Sequence, residues 1–204
     1  MLLPVSPPKT LRALYPQCFW NLPNAENKIY LTFDDGPTPE LLPFILETLE
    51  QFQVRATFFC VGDNIRKHPE LFKQIVEKKH GVGNHTYNHM NGWKNANYAY
   101  YRNIKKFDEL YKSELFRPPY GRISRPQARH IAKKYRIIMW DVLSYDYSKH
   151  VTPRKCLANV VKHVKSGSVI VFHDNKKAKK NITYALPRSI EHLLRKGFIF
   201  EAIT

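Results

Sequence analysis

The sequence predicts a single α/β domain with a parallel sheet. Three observations carry this. Short apolar runs alternate with segments of helical period about seven times, and such alternation needs parallel strands joined by crossover helices. The helical segments open and close on recognisable capping signals. The chain has 204 residues, 43% hydrophobic and 25% charged. That is enough for one core and too little for two full domains, and it excludes a disordered chain. Periodicity alone leaves the sheet either doubly wound and open or closed into an irregular barrel.

Residues 1–27 hold five prolines with scattered aromatics, Tyr15, Phe19 and Trp20. They read as an N-terminal arm packed on the domain formed by residues 28–204. The strand candidates are Lys28–Phe33, Ala56–Val61, Val82–Asn84, Leu115–Phe116, Ile137–Trp140, Ser168–Phe172 and Phe198–Ala202. The first helix is expected over Thr38–Gln51, with Thr38 as N-cap and Pro39 as its first residue. Leu41, Leu42, Ile45, Leu46 and Leu49 form its apolar stripe. The next, Pro69–Lys79, buries Leu71, Phe72, Ile75 and Val76, and Gly81 is expected to close it. Asn97–Tyr111, Ser124–Lys134, Thr152–Val164 and Thr183–Lys196 complete the set, with Thr152-Pro153 a start signal and Gly197 a stop signal.

The net charge is +16 and the pI about 9.8, so the surface attracts anionic partners. Cys18, Cys60 and Cys156 are odd in number and contain no C-x-x-C pair. That excludes a disulfide framework and a cysteine zinc site; Cys60, inside an apolar run, is expected to be a buried thiol. The apolar start Met1–Val5 lacks a basic lead and is interrupted by Pro4, Pro7 and Pro8, so it does not read as a secretory signal. No run of about 18 apolar residues is present. A cytoplasmic or membrane-peripheral location is the expectation. No glycine-rich phosphate loop opens any helix.

The chemistry collects at strand ends. Asp34 and Asp35 follow the first strand, His85 and His89 the third, and Arg117 with Pro118-Pro119-Tyr120 the fourth. Asp141 and Asp146 follow the fifth, and His173 and Asp174 the sixth. In a parallel α/β fold the carboxyl ends of strands share one rim, where active sites are built. Two histidines four apart with one carboxylate from Asp34 or Asp35 match a catalytic metal site, three ligands leaving a position open. Alone, His85 and His89 could be surface residues, His173 a satisfied core histidine, and Asp34-Asp35-Gly36-Pro37 a turn. Their convergence on one rim favours the catalytic reading.

Thr32-Phe33-Asp34-Asp35-Gly36, His85-Thr86-Tyr87-Asn88-His89, Arg117-Pro118-Pro119-Tyr120, Trp140 with Asp146, and Val171-Phe172-His173 resemble, in order, the five motifs of polysaccharide deacetylases. The family is also called carbohydrate esterase family four, or the NodB homology domain. The resemblance spans roughly residues 28–202. It implies a distorted (β/α)7-type barrel in one domain, and hydrolysis of N-acetyl groups on glycans containing N-acetylglucosamine, such as peptidoglycan or chitin. It also implies roles. Asp34 would be the catalytic base, oriented by Arg117. Asp35, His85 and His89 would hold one divalent metal, zinc by default. The backbone N–H of Tyr120 would bind the oxyanion. Asp146 would pair with His173, the general acid, with Asp141 as a rival. Trp140, Tyr147 and Val171 would line the substrate pocket. Tyr147 stands where the family often has Trp and Val171 where it often has Leu, changes that bear on the acyl group accepted.

The expected partner is an acetylated amino-sugar glycan, anionic where Asn175-Lys176-Lys177-Ala178-Lys179-Lys180-Asn181, directly after His173, borders the site and recognises a negative group; a solvated lysine loop is the plainer alternative. The basic surface suits peripheral membrane or cell-wall association, and the family often works outside the cytoplasm. No nucleic acid and no obligate protein partner are expected. Two rival functions stand beside the deacetylase. One is an O-acetyl esterase or a deformylase of lipid-linked amino sugars. The other is a non-catalytic basic polyanion- or glycan-binding protein, which predicts degraded motifs, whereas these are complete.

Overall fold

The computed structural model describes residues 4–24 and 26–203. In chain order its elements are α1 (Lys9–Ala13), β1 (Cys18–Phe19), β2 (Lys28–Asp34), α2 (Leu42–Gln51), β3 (Thr57–Cys60), α3 (Gly62–Lys67), α4 (Pro69–Glu77), β4 (Gly81–Asn84), α5 (Asn97–Asp108), β5 (Leu115–Phe116), α6 (Arg125–Ile131), β6 (Arg136–Ile138), β7 (Val142–Leu143), α7 (Pro153–Val161), β8 (Val169–His173), α8 (Lys179–Arg195) and β9 (Ile199–Phe200).

The strands pair in parallel in the order β1-β6-β5-β4-β3-β2-β8-β7, with β9 beside the start of β2. The sheet curls. Along the chain β7, at one end of the sheet, is separated from β6, which lies next to the other end, only by Met139–Asp141, and an antiparallel bridge from Asn21 to Ser168 ties the N-terminal arm to the start of β8. The fold is the distorted barrel the motifs imply, left open by the kink between β6 and β7.

Side-chain alternation along the strands sorts the core into layers. Phe33, Phe58 and Phe172 face outward into a large cluster with Leu42, Ile45 and Leu49 of α2 and Ile182, Leu186 and Ile190 of α8. A second cluster lies under α5 and α6, around Tyr100, Ile104 and Ile131. The inner face carries a smaller one, Phe59, Leu115, Ile138, Val169 and Ile203. Arg117 roofs it, its guanidinium 4.0 Å from the centre of the Phe59 ring.

Several expected boundaries move, each for a physical reason. The first long helix begins at Leu42, with Pro43 rather than Pro39 in its first turn. Thr38 does not cap it, because its hydroxyl and backbone N–H both bond the Asp174 carboxylate. Gly81 is no helix cap; it opens β4, where a side chain would strike the Ile203 carbonyl, and Lys79 takes the left-handed turn instead, with φ +58°. The strand expected over Ile137–Trp140 is β6, shifted back and stopped at the kink. The last long helix starts four residues earlier than Thr183, at Lys179. Gly197, with φ +80°, closes it as expected. The helices beginning at Arg125 and Pro153 are capped by Ser124, in a capping box with Gln127, and by Thr152. Among the described residues no helix is long and apolar enough to cross a membrane, and all three cysteines are free and buried.

Candidate active site

The rim is built from the ends of β2, β4, β5 and β8 and the loop after β7. β2 carries Thr32 and Asp34 on its inner face and is followed by Asp35, which turns with φ +81°. That turn sends the two adjacent carboxylates in different directions. It is held by Asn64 Nδ2 donating to the Asp35 carbonyl at 2.7 Å and by Val61 N–H donating to the Gly36 carbonyl. A side chain at Gly36 would collide with the Asp174 carboxylate, so only glycine passes here.

Asp34 is 5% exposed and accepts a 2.7 Å bond on Oδ1 from Arg117 Nη1. Arg117 is fully buried. Its remaining donors go to Thr32 Oγ1 at 2.7 Å and to the Ile138 and Met139 carbonyls at 3.0 Å each. The guanidinium is therefore fixed from both sides, and it fixes Asp34.

After β4 the chain forms a turn rather than a helix. Asn103 of α5 holds it, its side-chain oxygen accepting from the N–H groups of Tyr87 and Asn88. Thr86 and His89 adopt φ +64° and +53°, strained values for non-glycine residues that persist where surroundings impose them. This turn brings His85 and His89 to Asp35. His89 Nε2 lies 3.0 Å and His85 Nε2 3.6 Å from Asp35 Oδ1, and the ligand atoms of the three all lie within 4.8 Å of one another. Zinc bound tetrahedrally at about 2.0–2.2 Å needs ligand atoms roughly 3.4 Å apart, so the cluster fits a small divalent ion. The donor chemistry fits too. His85 Nδ1 faces the Arg117 carbonyl at 2.8 Å, which places the proton there and leaves Nε2 as a lone pair aimed at Asp35. Burial lowers the His85 pKa to about 4, so the imidazole is neutral at pH 7, as a metal ligand must be. Burial alone would raise the Asp35 carboxyl, but the bond from His89 and the neighbouring imidazoles hold it well below the usual range.

His173 ends β8 beside Asp34, its Cα partner across the sheet. Asp146 grips it twice: Oδ1 lies 2.8 Å from Nδ1, and Oδ2 accepts the backbone N–H at 2.7 Å. Asp146 is fully buried and is itself steadied by the Ser144 hydroxyl at 3.0 Å. Asp141 does other work, accepting from Ser168 Oγ and Val169 N–H at the opposite end of the strand. Burial opposes the charged imidazole, yet Asp146 outweighs it and pushes the His173 pKa up to about 9. The raised value means that His173 carries its proton below that pH and loses it as pH rises through it. In Asp146→Asn, an NMR titration of the metal-free protein is expected to find His173 titrating at clearly lower pH; an unchanged midpoint would assign the shift to another group.

Tyr120 sits in a 3₁₀ turn, Pro119–Gly121, with φ +62°, and is 61% exposed. Its hydroxyl reaches His89 Nδ1 at 3.1 Å, and its backbone N–H has no acceptor among the described residues. Tyr147 packs edge-on to His173 with ring centres 4.7 Å apart. Trp140 is half-buried against Gly121, where a side chain would meet its ring. Val171 is 1% exposed and stands two residues before His173 on the same face of β8, paired with Thr32 of β2.

Two polar supports were not visible in the sequence. Asn175 Nδ2 donates to Asp35 Oδ2 at 2.6 Å, leaving Oδ1 to the histidines. Asn181 Nδ2 donates to the Asp146 carbonyl at 2.7 Å. Both flank the lysine-rich segment, whose charge masks them in a motif search.

A parallel-sheet rim bearing a carboxylate–guanidinium pair, a carboxylate–imidazole pair and an Asp-His-His cluster has the groups of a hydrolase. A family model described as polysaccharide deacetylase matches residues 21–140. A peptidoglycan-N-acetylglucosamine deacetylase of Bacillus cereus is 32% identical over 199 residues, covering 91% of this chain and 90% of the relative. The peptidoglycan-N-acetylmuramic acid deacetylase PdaA of Bacillus subtilis is 27% identical over 192 residues, covering 87% and 70%. The crystal structure of a peptidoglycan N-acetylglucosamine deacetylase in complex with an N-oxidanyl-benzamide superposes with a TM-score of 0.88 at 33% identity, covering 97% of this chain and 95% of that one. The chain belongs to the polysaccharide deacetylase family.

Proposed function

We propose that this chain hydrolyses N-acetyl groups on amino-sugar glycans, peptidoglycan foremost, with a divalent metal held by Asp35, His85 and His89. The observation that carries the reading is that two proton-transfer pairs, Asp34–Arg117 and His173–Asp146, stand on the same strand-end rim as that metal-capable cluster. The relatives acting on peptidoglycan support the substrate class.

When bound, the ion supplies electrophilic activation of the amide carbonyl and a lowered pKa for water. The rest falls to the chain. Arg117 holds one oxygen of Asp34, and the other is free to take the proton of the attacking water. The unpaired Tyr120 N–H offers a donor to the developing oxyanion. His173, protonated below about pH 9, gives its proton to the leaving amine, and Asp146 steadies the imidazole through the transfer. Tyr147, against His173, walls the acetyl side, with Trp140 behind Gly121.

Acetate release from N-acetylated chito-oligosaccharide and from peptidoglycan tests the reading. Release is expected to stop on chelation and to return with zinc. Release that survives chelation overturns the metal assignment. Silence of the metal-loaded protein on both substrates overturns N-deacetylation.

A further inference from the structure

The segment between Asn175 and Asn181 carries Lys176, Lys177, Lys179 and Lys180, all exposed. The mechanism above uses none of them. Their position is fixed from both ends. Asn175 donates to the Asp35 carboxylate and Asn181 to the Asp146 carbonyl. Each lysine is thus within two residues, about 8 Å along the backbone, of an asparagine that touches the site.

None of the four has an acidic partner among the described residues, although pairs form elsewhere, as between Lys134 and Asp108 or Arg195 and Glu191. Helix α8 begins here with no acidic residue in its first turn and no side-chain cap on Ala178. Cations at the positive end of a helix dipole are unfavourable, and four neighbouring ones repel one another. Among the described residues no ion pair relieves this arrangement. An anion from outside would, and the glycan that reaches His173 passes beside it.

We propose that Lys176, Lys177, Lys179 and Lys180 bind a carboxylate borne by the glycan near the scissile acetamide, and so select carboxylated glycan strands over neutral ones. This assignment of a specificity site rests on the deacetylase reading. Attraction of this kind acts through a lowered KM, because it is made equally in ground and transition states, and it weakens with salt.

The test compares the zinc-loaded protein with K176S/K177S/K179S/K180S. The substrates are peptidoglycan strands with free carboxylates, the same strands with those carboxylates amidated, and amidated strands bearing phosphate. The ratio of kcat/KM, carboxylated over amidated, is expected to fall about tenfold in the variant, mostly through KM. The wild-type preference is expected to vanish at about 0.5 M salt. A charge-matched control, K9S/K112S/K133S/K196S, removes four exposed lysines outside the 175–181 segment and is expected to keep the ratio. A ratio within about twofold of wild type in the loop variant overturns the proposal, as does an equal fall in the control. A lysine-dependent preference for the phosphate strand overturns the carboxylate assignment. Failure of the deacetylase reading looks different: wild type releases acetate from no strand. The lysines are then judged by fluorescence anisotropy of the labelled strands on zinc-loaded Asp34→Asn protein, where loss of the carboxylate preference on replacing them sustains the site and its retention removes it.

Discussion

Asp34→Asn is expected to lower acetate release about a hundredfold to ten-thousandfold, the range of a general base, while metal content and folding stay near wild type. The geometry explains the separation. Asp34 Oδ1 accepts from Arg117 Nη1 at 2.7 Å, and an asparagine carbonyl can accept the same bond, so the buried guanidinium keeps a partner. The other position becomes an amide NH2, which takes no proton. Asp35→Asn should give the opposite record. Its Oδ1 lies 3.0 Å and 3.6 Å from the two histidines, and a neutral amide there weakens the only anionic ligand of the cluster. Two neighbouring residues, one charge each, thus give contrasting readouts. Zinc content after gel filtration and acetate release, measured on both variants, check it. More than about a tenth of the wild-type rate in Asp34→Asn would place the base elsewhere.

Much of this site could be read from the sequence because a parallel sheet turns strand order into spatial neighbourhood. Asp34, His85, Arg117 and His173 are scattered over the chain, yet each stands at a carboxyl end of a strand, or one step beyond it, and the register sets Asp34 opposite His173 directly. The Asp-His-His cluster is local plus one turn: Asp35 directly follows β2, and the turn after β4 supplies both histidines. What escaped the sequence depends on long-range bonds. Thr38 has every mark of a helix cap, but Asp174 takes its hydroxyl, and a tertiary bond overrides a local one. β1 and β7 are two residues each, too short for alternation to register. Helix α3 buries only Gly62 and Ile65, so its stripe is invisible. Asp141 and Asp146 follow one apolar run in the sequence, but β7 lies between them, leaving Asp141 at Val169 and carrying Asp146 to His173.

Arg117→Met is expected to destabilise the fold by about 3–5 kcal/mol, the cost of breaking a buried ion pair from one side, and to abolish turnover. Methionine fills similar volume over the Phe59 ring, so the loss is electrostatic rather than a cavity. It strands the Asp34 carboxylate at 5% exposure and leaves the Thr32 hydroxyl and the Ile138 and Met139 carbonyls without the guanidinium donors they now share. The turn at His85 suffers as well, because its Nδ1 rests on the Arg117 carbonyl, whose place is set by the same side chain. Adding Asp34→Asn to Arg117→Met removes the stranded charge and is expected to recover part of the stability and none of the activity. The two changes should therefore be non-additive by more than about 1 kcal/mol in urea unfolding. Additivity within about 0.5 kcal/mol would mean that Asp34 and Arg117 stabilise the fold independently, and that the arginine holds the rim together through the three oxygens behind it.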